Sequence, residues 1–323
     1  MAKIIYTNYY LPRRTVSAEE VLNSCQENVQ IETSSFLEQS GLDEIAVADK
    51  ELIRVFEELI EECLQKVQVD KARIKYLIYT NPLNANHSER VSIPYYIQKK
   101  FGLENCSVVI MDQKCSTSLE SLYFANLICN QKEDEYVLIL SPCFLKYSTL
   151  QERFIGFTIC GDAVGIGLIG NEVEKETVEI IDINSKSDGM FSFFQLNDNE
   201  AEETSYSEVD DRIVIIQNGV NLIKELLKKN NIDIEKVKFV IPQSINQYAY
   251  GVYAKFLRIN QKKMYLENVP KGGHLGDVDT LRNLHDVLEN KCLEDGDYIV
   301  LYGLGSDGTD INYSALLCKY TSV

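Results

Sequence analysis

Short, continuous runs of apolar residues alternate along the chain with segments in which apolar residues recur every three or four positions. The continuous runs are at 75–80, 106–112, 136–142, 166–170, 178–184, 237–243 and 298–305. The helical patterns are at 51–67, 116–129, 213–227, 246–257 and 278–288. Strands that are apolar throughout and joined by helices are typical of a sheet covered on both faces. The sequence therefore predicts an α/β fold with a buried, largely parallel sheet and helices on both sides.

The 323 residues could form one large domain or two of ordinary size. Each half ends in a glycine-rich turn with a hydrophobic strand, and the polar stretch 171–177 is the best boundary between them. We therefore predict two similar halves, 1–171 and 172–323. The acidic segment 197–211 is poor in apolar residues and is predicted to be an exposed insertion.

The formal net charge of −17 argues against a nucleic-acid-binding protein, because phosphate recognition needs a concentrated basic face. Basic clusters at 224–229 and 257–263 fit solvated helix faces, or docking points for an acidic carrier or a phosphate. No apolar run approaches the length of about eighteen residues expected of a membrane helix, and the N-terminal run is too short for a signal peptide. We expect a cytoplasmic protein that does not enter a membrane.

The nine cysteines are odd in number and include no C-x-x-C pair, so neither a disulfide framework nor a zinc site is predicted. The pattern G-x-G-x-x-G occurs at 165–170 and again at 303–308. A dinucleotide site requires the last glycine to open a helix, and neither match is followed by one. We therefore expect no bound cofactor or metal, and glycines that allow backbone segments to approach one another closely.

Cys115 stands where a β-branched apolar run ends, a short polar corner follows and a helical pattern begins. Unpaired N–H groups and the helix dipole favour a thiolate over a thiol at such a helix N-terminus. This position makes Cys115 a candidate nucleophile. The alternative is that it is one more buried cysteine that packs as a small hydrophobic residue.

Nucleophilic catalysis by a thiol also requires a base, and the chain has three histidines. His87 fits a surface loop and His285 fits a structural position on an apolar helix. His274 lies in GGHLGDVD, where glycines on both sides allow a sharp turn and a projecting imidazole. Asp277 and Asp279 are both candidates to orient that ring. His274 is therefore the candidate base.

Six ordered segments of the chain resemble motifs of β-ketoacyl-acyl-carrier-protein synthase III and its thiolase-fold relatives. The segments are YLPRRTVSAEEV, DQKCSTSLESLYFAN, FTICGDAVGIGLIG, SDGM, VIPQSINQ and VPKGGHLGDVDTLRNL. The resemblance runs over nearly the whole chain and assigns Cys115 to the nucleophile position. It implies a thiolase fold of two similar halves in a five-layered αβαβα arrangement, and a homodimer.

The chain departs from this family at the two residues that act with the cysteine. Gln243 takes the position of the family's histidine, and His274 takes the position of its asparagine. A glutamine cannot accept the thiol proton or become cationic, although its amide can donate a hydrogen bond to an oxyanion. The base is therefore predicted to have moved across the site, and decarboxylative condensation is expected to be impaired.

Two further expectations follow from the resemblance. The backbone N–H groups of Cys115 and Gly305 are predicted to form the oxyanion hole, with Gly303 as the alternative to Gly305. The family's coenzyme A arginines have no counterpart, since SGLDEIAVAD contains no arginine and the second position is Tyr248. Basic side chains nearest to that position are Arg258, Lys262 and Lys263. The donor can therefore be an acyl carrier protein or an unusually bound coenzyme A.

The sequence as a whole predicts an acyltransferase. Cys115 would attack an acyl thioester, His274 would move the proton, and a hydroxyl, amine or carrier thiol would accept the acyl group, in polyketide, fatty-acid-like or other secondary metabolism. One alternative is a C–C bond-forming condensing enzyme of the synthase III type. The other is a non-catalytic partner subunit of a ketosynthase homologue.

Overall fold

The computed structural model describes residues 1–25, 32–80, 92–132, 134–145, 149–171, 176–189, 208–306 and 310–322, with no side-chain description for 208–212. His87 and Gly308 lie outside these ranges. So do residues 172–175 of the predicted boundary and residues 197–207 of the predicted acidic insertion. The remaining four residues of that insertion begin a helix.

Each predicted strand and helix is present, with ends that differ by a few residues. The strands are β1 Lys3–Tyr10, β2 Thr15–Ser17, β3 Glu44–Ala46, β4 Ile74–Thr80, β5 Ser107–Met111, β6 Tyr136–Cys143, β7 Ala163–Gly170, β8 Thr177–Asp188, β9 Val237–Pro242, β10 Lys271–Gly272, β11 Tyr298–Ser306 and β12 Ile311–Thr321. The helices are α1 Ala18–Cys25, α2 Thr33–Ser40, α3 Leu52–Val67, α4 Ile93–Lys100, α5 Thr117–Gln131, α6 Glu208–Lys229, α7 Gln247–Leu257 and α8 Val278–Glu289. Strand β1, which mixes polar and apolar residues, is not among the predicted elements, and neither are the short elements β2, β3, β10, α2 and α4.

Nine strands of the described part of the chain form one sheet in the order β5-β4-β6-β7-β1-β8-β12-β11-β9. The order reads as two similar halves that meet where β1 pairs with β8 over Lys3–Glu179 and Ile4–Val178. A second, small sheet has the order β10-β3-β2. The similarity of the two halves agrees with the predicted repeat, although the domain boundary itself remains a prediction.

The expectation of a largely parallel sheet is wrong. Among the described strands of the nine-stranded sheet, parallel pairing is confined to β4–β5, β4–β6 and β9–β11, and the five other neighbouring pairs are antiparallel. Strand β12 follows β11 after residues 307–310, a connection too short for a crossover helix, so the chain returns antiparallel. The antiparallel strands β7 and β12 are buried on both faces, and their continuous apolar runs therefore look like those of parallel strands.

Three clusters of buried apolar side chains define the layers. One cluster joins α3 and α4 to one face of β4, β6 and β7. A second joins α6 and α7 to β9, β11 and β12. The third lies between the two halves of the sheet, where α5 and α8 pack against strands of both. The order of layers is helix, sheet, helix, sheet, helix, and the predicted five-layered arrangement is confirmed.

This architecture brings three distant parts of the chain to one place between the halves. The corner after β5 leads into α5, the segment after β9 leads into α7, and the turn after β10 leads into α8. Within the described ranges, no helix combines the length and apolar character needed to span a bilayer.

Candidate active site

Cys115 lies at the corner between β5 and α5 and is 7% exposed. The preceding residue, Lys114, has a positive φ of 55°, which turns the chain sharply out of the strand. Side-chain hydrogen bonds hold this corner, because Thr117 Oγ1 accepts the N–H of Gln113 at 2.8 Å and Ser116 Oγ donates to the carbonyl of Gln113 at 2.8 Å. The thiol is thus placed directly before the first turn of α5, as predicted.

The imidazole of His274 reaches the thiol. Its Nε2 lies 3.3 Å from Cys115 Sγ, although 159 positions separate the two residues. The backbone of His274 is held by the N–H of Gly161 at 2.9 Å and by the carbonyl of Ile159 at 2.8 Å. Gly273, with φ of 79°, allows this approach because a Cβ there would lie 2.7 Å from the carbonyl oxygen of Ile159.

Asp279, in the first turn of α8, is the carboxylate that contacts the ring. Its Oδ2 lies 2.6 Å from His274 Nδ1 and also accepts the N–H groups of Ser244 at 3.0 Å and Leu275 at 3.2 Å. A carboxylate at Nδ1 holds the proton on that nitrogen and leaves Nε2 to face the thiol. The residues Cys115, His274 and Asp279 thus form a buried chain of hydrogen-bonding groups, here called the triad.

Asp277 is the other candidate to orient the ring. Among the described residues, no hydrogen bond joins Asp277 to His274. Its carboxyl faces the hydroxyls of Thr80 and Ser141, and Ser118 Oγ donates to its backbone carbonyl at 2.8 Å. Burial raises the pKa of Asp277 to about 7, although the two hydroxyls favour the charged form. The sequence left both aspartates open, and the fold brings Asp279 to His274.

The charge of the triad raises the pKa of His274. Burial alone would lower it, but negative charge at Cys115 and the hydrogen-bonded carboxylate of Asp279 outweigh burial and raise the pKa to about 10. Burial raises the pKa of the two neighbouring thiols, Cys143 and Cys160. Those two thiols are therefore neutral, and the imidazole contacts Cys115.

Gln243 is fully buried and connects the nucleophile corner to β11. Its Nε2 donates to the backbone carbonyl of Cys115, and its Oε1 accepts the N–H of Leu304 at 3.0 Å. These two backbone partners fix the orientation of the side-chain amide, because the carbonyl of Cys115 requires the nitrogen and the N–H of Leu304 requires the oxygen. Gln243 therefore holds Cys115 against the opposite half of the molecule.

The two candidate glycines of the oxyanion hole have different neighbours. A Cβ on Gly305 would lie 2.1 Å from the carbonyl oxygen of Gln113 and 2.9 Å from the nitrogen of Cys115. A Cβ on Gly303 would instead contact Leu119 at 3.1 Å and the Gln243 side chain at 3.4 Å. Gly305 is therefore the glycine that packs against the Cys115 corner with the expected close approach of backbone segments, whereas the nearest atoms to Gly303 belong to side chains.

Residues Gly161 and Asp162 lie in the segment whose backbone bonds to His274. Asp162 is buried and accepts N–H groups from Ala48 and Leu145 and from the buried guanidinium of Arg153, the last at 2.9 Å. Removing one partner of a buried ion pair typically costs about 3–5 kcal/mol. This motif therefore stabilises the segment whose backbone pairs with His274.

The remaining predicted residues make other contacts or are exposed. His285 bonds the carbonyl of Thr7 at 2.8 Å and packs edge-on against Tyr9, which confirms its structural position. Among the basic residues, Arg258 ends α7 and Lys263 pairs with Glu235. Tyr248 is 64% exposed near the start of α7. No group of His, Cys, Asp or Glu within the described part of the chain could hold a metal ion.

Comparison with known proteins gives a consistent set of matches. Residues 227–313 match the family model of the 3-oxoacyl-[acyl-carrier-protein] synthase III C terminal. The chain is 21% identical to β-ketoacyl-[acyl-carrier-protein] synthase III 2 of Staphylococcus epidermidis over 336 aligned residues, which cover 99% of this chain and 98% of the relative.

Two solved structures superimpose over nearly the whole chain. The 3-oxoacyl-[acyl-carrier-protein] synthase III of Aquifex aeolicus matches with a TM-score of 0.78 at 17% identity, covering 99% of this chain and 100% of the other. ChlB3, described as an acyltransferase, matches with a TM-score of 0.79 at 16% identity, covering 99% and 98%. These similarities establish the fold.

Proposed function

We propose that this chain, a homologue of β-ketoacyl-acyl-carrier-protein synthase III with the thiolase fold, is an acyltransferase that works through an acyl-Cys115 intermediate. The observation that carries the proposal is the position of His274, whose ring lies between Cys115 Sγ at 3.3 Å and Asp279 Oδ2 at 2.6 Å. A nucleophile, a base and a group that orients the base are the parts that acyl transfer requires.

The reaction proceeds in two half-reactions. In the first, the Cys115 thiolate attacks the thioester carbonyl, the bond to the donor sulfur breaks, and His274 Nε2 gives its proton to the leaving thiolate. In the second, an acceptor hydroxyl, amine or thiol attacks the acyl group, and Nε2 takes the acceptor's proton. The acyl–sulfur bond then breaks and restores Cys115. Asp279 stabilises the imidazolium in both half-reactions.

The negative oxygen formed in each half-reaction needs hydrogen-bond donors. We assign the backbone N–H groups of Cys115 and Gly305 to this role, supported by the contact of Gly305 with the Cys115 corner. Loss of one such donor typically costs about two to three orders of magnitude in rate. Gln243 uses one N–H and its carbonyl to hold backbone, and its second N–H can contribute a further donor.

Condensation is less well supported than transfer. At the position where a condensing relative is expected to have a histidine, this chain has Gln243. A glutamine side chain cannot carry the positive charge of an imidazolium. The description of ChlB3 as an acyltransferase agrees with transfer on this fold. The names of the other relatives point to acyl-carrier-protein thioesters, so we propose an acyl carrier protein or coenzyme A thioester as donor, without a bound cofactor. A role in secondary metabolism in the cytoplasm is part of this proposal.

We also propose a homodimer that forms along β5. This strand is at the edge of the nine-stranded sheet, and Ile110 on it is 58% exposed. Phe124 and Leu127 of the adjoining α5 are exposed as well. An exposed apolar edge strand is a template for pairing with another strand, and a second copy supplies an identical one.

Intact-mass measurement tests the proposed function. The purified protein is incubated with acetyl-CoA, butyryl-CoA, malonyl-CoA and the same acyl groups on an acyl carrier protein. We expect an adduct on Cys115 that disappears when an acceptor is added, and no release of CO₂ from malonyl donors. Cys160→Ala should retain the adduct and Cys115→Ala should lose it. Absence of an adduct with every donor favours the partner-subunit alternative, whereas CO₂ release favours the condensing alternative.

A further inference from the structure

Tyr250 carries a buried hydroxyl without a hydrogen-bond partner among the described residues. Its side chain, on the first turns of α7, is 2% exposed. Tyr253, one turn further along the same helix, is equally buried, but its hydroxyl lies 2.8 Å from that of Tyr302. The two rings pack against each other with centroids 5.6 Å apart. Of these neighbouring phenols, only the hydroxyl of Tyr250 thus lacks a partner.

The position of α7 relates Tyr250 to the triad. The helix begins four residues after Gln243, which donates to Cys115, and three residues after Ser244, whose N–H donates to Asp279. Burial, then the charges of neighbouring groups including Asp279 and Cys115, raise the pKa of Tyr250. The phenol is therefore protonated throughout the working pH range and is electrostatically coupled to the triad.

A hydroxyl in this environment is unfavourable for the free protein. Burying it without a partner loses its hydrogen bonds to water, and a phenylalanine would fill nearly the same volume without that loss. Such groups are expected where a ligand completes the hydrogen bond. A protonated phenol in the first turn of the helix that follows the Gln243–Ser244 segment is suited to an oxygen acceptor atom.

We propose that the Tyr250 hydroxyl is a substrate-binding group that donates a hydrogen bond to an oxygen of the substrate held beside Cys115. The oxygen belongs either to the acyl group of the donor or to the acceptor. This inference rests on the proposed acyl transfer, because it assumes that substrate occupies the space next to the triad.

The test compares Tyr250→Phe with Tyr253→Phe, which removes a hydroxyl that already has a partner. Butyryl and 3-hydroxybutyryl thioesters of N-acetylcysteamine serve as donors, and acyl-Cys115 formation is followed by intact mass. Glycerol and N-acetylcysteamine then serve as acceptors, and loss of the adduct is followed in the same way. Thermal unfolding of each variant is measured in parallel.

We expect Tyr250→Phe to slow one half-reaction by about five- to tenfold, the effect of one lost hydrogen bond, with an unfolding midpoint at or above that of the parent. Tyr253→Phe should lower the midpoint and leave both half-reactions within about twofold of the parent. Slower adduct formation assigns the oxygen to the donor, and slower adduct loss assigns it to the acceptor.

Two results separate this inference from the proposed function. If the parent protein forms an adduct that turns over and Tyr250→Phe matches it in both half-reactions with every probe, the inference is overturned and the proposed function stands. If Tyr250→Phe lowers the unfolding midpoint as Tyr253→Phe does, without a kinetic change, the hydroxyl is structural and the inference is overturned as well. If the parent protein forms no adduct at all, the result overturns the proposed function, and with it the inference that depends on it.

Discussion

Asp279 Oδ2 lies 2.6 Å from His274 Nδ1 and accepts two backbone N–H groups in addition, so the carboxylate that orients the imidazole is itself held from three directions. The backbone donors come from Leu275, in the turn before α8, and from Ser244, in the segment before α7. Both segments lie in the half of the chain that follows β8, whereas Cys115 precedes it. The orientation of the ring toward the thiol therefore depends on how the two halves pack.

Asp279→Asn should reduce acyl transfer strongly while leaving the fold intact. The carbonyl oxygen of an amide can still accept the Nδ1–H bond, but a neutral amide stabilises an imidazolium much less than a carboxylate does. We expect kcat/KM to fall on the order of 10²–10⁴-fold. Asp286→Asn is the matched control on the same helix, since Asp286 contacts Tyr9 and Asn268 instead of the triad. Comparable losses in both variants would contradict the assignment.

His274→Ala and Gln243→Ala should differ in severity. Loss of a general base costs roughly 10²–10⁴-fold, and we expect the adduct on Cys115 to stop turning over in His274→Ala. Gln243→Ala removes two hydrogen bonds that hold Cys115 and should slow transfer by about three- to tenfold. Single-turnover rates from quenched samples measure both. Equal tolerance of the two substitutions would refute a base at His274.

The two half-reactions should respond to pH differently. In the free protein the pKa of His274 is raised to about 10, so the imidazolium that protonates the leaving thiolate is present up to that pH and lost above it. Acylation of Cys115 removes its negative charge, which is one cause of the raised pKa, and the pKa of His274 must then fall. Transfer to glycerol needs the neutral ring and should therefore rise with pH and level off well below pH 10. A single shared titration near pH 10 would exclude this explanation.

Asp277→Asn should stabilise the protein in a pH-dependent manner. The pKa of Asp277 is raised from 3.8 to about 7 in the folded state, so its contribution to stability is fully present below pH 3.8 and is lost as the pH rises through 7. The asparagine variant lacks this loss. Its advantage in the free energy of unfolding should grow from pH 4 to pH 7 and stay constant above that. Urea unfolding across this range measures the difference. An advantage that shrinks as the pH rises would contradict a carboxyl whose pKa is raised by burial.

Ile110→Lys should convert the proposed dimer into a monomer. The substitution places a charge on the exposed apolar edge of β5, where it opposes pairing of two identical strands. Ile213→Lys on α6 is a control at another exposed isoleucine, 43% exposed and distant in the fold from that edge. Sedimentation velocity distinguishes the two states. A parent protein that is already monomeric at micromolar concentration would disprove the homodimer.

Much of the fold followed from local patterns. The helix over 278–288 and the strand over 237–243 were found within a residue or two of α8 and β9, because their apolar periodicity depends on neighbouring residues only. Strand β1 was missed because it lies between β7 and β8 with a mixture of polar and apolar residues. The direction of β7 and β12 was also missed, since a strand covered on both faces has the same pattern in either direction.

By itself, the sequence determined most of the strands and helices, a thiol at the start of a helix and a histidine between glycines able to approach it. These are local properties of backbone geometry and residue type. The tertiary structure decided that Asp279 rather than Asp277 contacts His274, that Gln243 holds the backbone of Cys115, and that Tyr250 retains an unpartnered hydroxyl. The first of these contacts joins residues 5 positions apart and the second joins residues 128 positions apart, and in both cases the packing of the folded chain sets the side-chain directions that bring the groups within hydrogen-bond distance.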